Sequence, residues 1–163
     1  MSEPEEFLAA VGAATVLGQG GDREGARRAF AGLWEQLGDD GDPLHRCAVA
    51  HNMADVQDDV REEISWDLRA LDAAGQVGEH RAEQAGVPGP VAGLYPSLHL
   101  NLGEAYRKLG DLAAARNHLA QGLSASSALG DDGYGRMIVG ALHGLEERLG
   151  AADGAFPSDP QPT

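Results

Sequence analysis

Cys47, His51 and Asp55 recur every four residues, and on a helix that spacing puts a thiol, an imidazole and a carboxylate on one face. Glu63, on the element that follows, can close on the same face. These are donors that zinc accepts, so the set is a conceivable metal site. Three side chains stacked along one helix rise roughly 12 Å, however, which lets only neighbouring pairs share an ion. The expectation is therefore no metal and no cofactor, with His51 buried and hydrogen-bonded to Glu63 or Asp55. The alternative is a small-molecule or metal site, catalytic or not, built from His51, Asp55, Glu63 and His99.

A second feature is acidic. On one continuous helix Asp55, Asp58, Asp59, Glu62 and Glu63 form a negative stripe to which a basic peptide could dock; with a turn near Gln57 to Asp59, Asp58 and Asp59 become helix caps and Asp55 and Glu62 are solvated. Gly18-Gln19-Gly20-Gly21 imitates a dinucleotide loop, but Arg23 stands where its third glycine belongs and the preceding segment is helical. Leu37-Gly38-Asp39-Asp40-Gly41 and Leu129-Gly130-Asp131-Asp132-Gly133 are near copies. They lack the alternating ligands of a calcium loop, so glycine is expected to close one helix and aspartate to open the next. No P-loop, Gly-x-Ser-x-Gly elbow or His-Glu-x-x-His pair occurs, and no enzymatic activity is expected.

The elements that position these residues are helices. Of 163 residues 42% are hydrophobic and only 5% aromatic, which suits an interior of Ala, Leu and Val between close helices. A net charge of −14 repels phosphate backbones and anionic lipid, so neither nucleic acid nor membrane is expected as a partner. The first residues lack a basic and apolar leader and the lone Cys47 forms no disulfide framework, giving a cytoplasmic expectation.

Helical stripes run through Phe7, Val11, Ala14 and Leu17, and through Ala26, Phe30, Leu33 and Leu37, with a break at Gly20-Gly21 and Asp22 as the cap. Between Leu44 and Ala74 the stripe restarts as Val60, Ile64, Leu68 and Leu71, and Asp59 with Glu62 makes a capping-box pattern. Residues 75–93 are a Gly/Pro-rich connection with a short helix expected near Glu79 to Gln84. A third pair of stripes, Leu98 to Leu109 and Leu112 to Leu123, breaks at Gly110-Asp111. A last helix carries Tyr134, Met137, Ile138, Leu142, Leu145 and Leu149, and 150–163 reads as a disordered tail. Trp34 and Trp66 are expected to pack.

Leu102-Gly103-Glu104-Ala105-Tyr106, Gly110-Asp111, Ala115, Leu119 and Gly122 together resemble a tetratricopeptide repeat. Phe7 to Trp34 is a second copy, with Ala13-Ala14 for the Leu-Gly pair and Ala26 and Phe30 in the second helix. Leu44 to Leu71 is the most divergent, with His51 at the helix-A glycine and Glu63 at the alanine it should face.

The resemblance implies one all-α domain over residues 4–149: antiparallel helical hairpins, about seven helices, stacked as a short right-handed superhelix. It also implies a concave groove for a protein or peptide partner, with Asn52, Asp55, Leu100, Glu104, Arg107 and Lys108 facing it. Terminal hairpins of a short array leave apolar faces, so self-association is a further expectation.

Overall fold

The computed structural model describes residues 2–77 and 92–154, and within them the chain folds as seven α-helices with no strand. They are α1 (Glu3–Gln19), α2 (Arg23–Leu37), α3 (Pro43–Asp55), α4 (Val60–Gly75), α5 (Tyr95–Leu109), α6 (Leu112–Ala125) and α7 (Gly133–Gly154), with a 3-10 turn at Ser126–Ala128 after α6. The expected short helix at 79–84 lies outside the described residues.

Local chemistry sets the boundaries. Asp22 accepts from the Gly25 amide at 2.9 Å and Asp111 from the Ala114 amide at 3.1 Å, each occupying a donor that the helix start leaves free. Gly110, at φ +91°, takes the left-handed conformation that ends α5 and costs a residue with a Cβ. The turn expected near Gln57 to Asp59 is present, and Asp59 caps α4 by accepting from the amides of Arg61 and Glu62.

Two expectations are corrected. The first Gly-Asp-Asp-Gly copy does not open α3 with Asp39 or Asp40; Asp42 does so, accepting from Leu44 and His45 ahead of Pro43, whereas Asp132 opens α7 by accepting from Gly135 at 2.7 Å. Proline at the first helical position has no amide to satisfy and a preset φ, which moves the start of α3 past the paired aspartates. At the other end, α7 continues through residue 154 instead of giving way at 150.

Helices pack on their sequence neighbours from α1 through α6, and α7 lies on both α5 and α6. The interior is correspondingly serial. Phe7, Phe30, Val49 and Met53 fill the first part, Cys47, Ala50, Ala70, Ala73 and Leu98 the second, and Leu119, Leu142 and Leu145 the third. Trp34 meets Trp66 edge to face at a centroid distance of 5.3 Å, the packing role expected for both.

Small residues let the paired helices approach. Ala14 and Ala26 are buried in the first hairpin. In the third, a Cβ on Gly103 would lie 3.5 Å from the Ala115 carbonyl oxygen and only 2.6 Å from Leu145 Cδ2. No helix among the described residues is long and apolar enough to cross a membrane.

Candidate functional site

The first helices of the three hairpins bring polar side chains to one side of the stack. Asn52 on α3 is oriented by its own helix, its Nδ2 donating to the Ala48 carbonyl at 2.8 Å, and its Oδ1 lies 3.4 Å from Thr15 Oγ1 of α1. One turn on, Asp55 accepts from Asn101 of α5 at 3.4 Å. Further along α5, Glu104 pairs with Arg107 at 3.0 Å and with Arg148 of α7. Lys108 pairs with Glu63 of α4 at 3.1 Å.

Asp55 is solvent-accessible, yet the protein crowded around it disfavours its charge and Glu63 adds repulsion, so its pKa is raised despite the opposing pull of His51 and Arg23. Beside it a cleft of about 160 Å³ opens between α1 and α3, with Phe30 and Val56 at its floor and Thr15, Asn52 and Asp55 on its rim.

Of the six residues expected on the groove, Asn52, Asp55, Glu104, Arg107 and Lys108 are solvent-accessible. Leu100 is not: it packs with Leu119, Ile138 and Leu142 under α7. Helix α7 covers that part of α5, so the apolar side chain joined the core and the charged ones around it paired at its edge. The acidic stripe is also broken up. The turn after α3 interrupts the helix, Asp59 caps α4, and Asp58 is held by Arg23 at 2.9 Å and Arg27 at 3.1 Å; these guanidinium contacts, the Arg23 hydrogen bond foremost, lower its pKa.

The His51 cluster differs from its expected form. His51 Nδ1 lies 3.3 Å from Asp67 Oδ1 on α4, and it is Asp67, not Glu63 or Asp55, that partners it. The Glu63 carboxylate goes instead to Lys108, a full positive charge at the surface. The imidazole reaches one turn farther along α4 than Glu63, the residue expected to face it.

Asp67 is completely buried and, among the described residues, its Oδ2 has no hydrogen-bond partner. Burial pushes its pKa up to about 6 in spite of the His51 contact, with Asp55 and Glu63 adding repulsion. For His51, burial alone would lower the pKa, but the Asp67 hydrogen bond and the charges of Asp55 and Asp67 carry it upward. Cys47, buried beside them, has its thiol pushed up to about 11 by burial and the charge of Asp67, the reverse of what a nucleophile needs. Among the described residues no group of three or more His, Cys, Asp or Glu side chains is gathered closely enough to hold a metal ion.

His99 belongs to a separate arrangement. It is buried, its Nδ1 lies 3.0 Å from Nδ1 of His118 on α6, and the two rings stack in a ladder between Tyr95 and Tyr106. A single proton fits between the two nitrogens, so one imidazole donates and the other accepts. Burial lowers both pKa values, and for His99 the charge of His118 does so further.

Asp67, His118 and Thr15 were not anticipated. Asp67 had a usable signal: counted from the caps Asp22, Asp59 and Asp111, it holds the position of Phe30 and Leu119, so a carboxylate stands where its counterparts are core side chains. His118 and Thr15 had none, because their partners are distant in sequence.

Compared with models of protein families, with curated proteins and with solved structures, the chain matches none.

Proposed function

We propose that the chain is a tetratricopeptide-like interaction module that holds a peptide or protein segment along the side formed by α1, α3 and α5. The observation that carries this reading is the row of polar side chains contributed by successive first helices, Thr15 with Asn52 and Asp55 with Asn101, continued by Glu104 and Arg107. Supporting it are the serial packing of the hairpins and the small residues at Ala14, Ala26 and Gly103, where the family keeps its close contacts. Such a row offers amide and carboxylate groups to an extended backbone, and the Thr15–Asn52 and Asp55–Asn101 contacts, both at 3.4 Å, are long and weak enough to give way when a ligand arrives.

The test is selection of binders from a random peptide library, followed by affinity measurement on Asn52→Ala, Asp55→Ala, Glu104→Ala and Arg107→Ala. Binding lost in these variants with unchanged circular dichroism is the expected result. An empty selection, or peptides that bind all four variants like the wild type, rejects the module.

A second reading rests on the unpartnered Asp67 Oδ2 beside His51: a small-molecule site in the second hairpin. Native mass spectrometry of protein purified without chelator tests it, since an adduct lost on His51→Ala is its expected signature and a bare ion series rejects it.

A further inference from the structure

We infer that the cleft between α1 and α3 is a lysine-side-chain pocket and that the segment held by this module is basic, an inference that rests on the interaction-module reading. The cleft is about 160 Å³ and is built in two tiers. Its floor is apolar, with Phe30 fully buried and Val56 6% exposed. Gly18 belongs to this floor, and a Cβ there would sit 2.9 Å from Val56 Cγ1, so the wall of α1 is as close to α3 as side chains permit. An aliphatic stem buries its methylenes on such a floor.

Beside Gln19 and Arg23, the rim carries three oxygen acceptors. Thr15 Oγ1 donates its proton to the Val11 carbonyl at 2.9 Å, which leaves its lone pairs available. Asn52 directs Nδ2 to Ala48 and so keeps Oδ1 on the cleft side, near Thr15. Asp55 supplies a carboxylate that, among the described residues, accepts from the Asn101 amide alone, at 3.4 Å. Three acceptors match the three N–H donors of an ammonium group.

The nearby cation is already committed. Arg23 donates to Asp58 at 2.9 Å and to the Gln57 carbonyl at 2.8 Å, and reaches only the backbone oxygen of Asp55, at 3.4 Å. Among the described residues no Lys or Arg side chain pairs with the Asp55 carboxylate. At Asp55 the repulsion of Glu63 is opposed by His51 and Arg23, and the chain as a whole, at a charge of −14, draws cations. A compact ammonium is preferred to a guanidinium, because one carboxylate already engaged by an amide cannot offer the bidentate fork that arginine uses.

The experiment is a ¹⁵N-detected NMR titration of the full chain with the blocked tripeptide acetyl-Gly-Lys-Gly-amide, and with the same tripeptide carrying norleucine or Nε-acetyl-lysine. Saturable shifts of the Thr15, Gly18, Asn52 and Val56 amides with the lysine peptide alone are expected. Asp55→Asn, an isosteric change at an accessible position, should weaken binding about tenfold or more, the worth of a charge-assisted hydrogen bond. Glu62→Gln, outside the cleft, should leave it unchanged. Shifts that are equal for lysine and norleucine, absent at those four amides, or insensitive to Asp55→Asn overturn the pocket. Library peptides that bind the module without lysine and ignore Asp55→Asn would reject the pocket and leave the module standing; lysine binding with an empty peptide selection would reject the module instead.

Discussion

Replacing Asp67 by asparagine should make the protein more stable, and increasingly so as pH rises. Asp67 is fully buried, one oxygen has no partner among the described residues, and its pKa is pushed from 3.8 to about 6. The sign follows from proton binding: a group that holds its proton more tightly when folded contributes stability that is fully present below its unfolded pKa and lost as pH rises through the folded one. His51 is raised as well, so it acts in the same direction. A shift of roughly two units at about 1.4 kcal/mol each gives about 3 kcal/mol, of which about 2–3 kcal/mol falls between pH 4 and pH 8. Asparagine has the same shape, can still accept from His51 and carries no charge. The difference in stability between Asp67→Asn and wild type should therefore grow by that amount over this range, or about 5–10 °C in Tm for a chain of 163 residues. Urea denaturation of both proteins at half-unit pH intervals, followed by circular dichroism at 222 nm, measures it directly. Parallel profiles from pH 4 to 8 would refute the reasoning, showing that the buried carboxylate carries no cost of ionisation.

The histidine pair should behave in the opposite sense. His99 and His118 have lowered pKa values, so their contribution is present above the unfolded value near 6.5 and lost as pH falls; His118→Phe, which keeps a ring between His99 and Tyr106, should lose less Tm than wild type between pH 7 and pH 5 in a thermal melt. Two glycines should respond with opposite signs. Gly110→Ala forces a Cβ into the φ +91° conformation and should cost about 1 kcal/mol, whereas Gly12→Ala, inside α1 with nothing within 4 Å of the new methyl, should gain about 0.5–1 kcal/mol in chemical denaturation. Phe30→Ala removes a fully buried ring and should cost about 3–5 kcal/mol by the same assay.

Much of the architecture was legible in the amino-acid sequence. The period of Phe7, Val11 and Ala14, the breaks at Gly20-Gly21 and Gly110-Asp111, and the caps Asp22, Asp59 and Asp111 are local signals, because a helix start or stop depends on backbone groups a few residues away. The turn between α3 and α4, which has neither glycine nor proline, was readable from Asp59 and the restarted stripe. Asn52 and Asp55, which the repeat resemblance sets on a partner groove, are solvent-accessible.

Pairing was a different matter, because it depends on which helix arrives opposite. Glu63 was expected against His51, but Lys108, 45 residues away, took its carboxylate and left the imidazole to Asp67. Leu100 was expected in solvent, and only the position of α7 put it in the core. His99 found His118 because α6 returns along α5. The sequence by itself determined where each helix begins, ends and turns its apolar side, since those choices are made within a turn or two of chain. The tertiary structure alone decided which charges neutralise one another and which, like Asp67 and Asp55, are left incompletely matched, because electrostatic partners are chosen by distance in space.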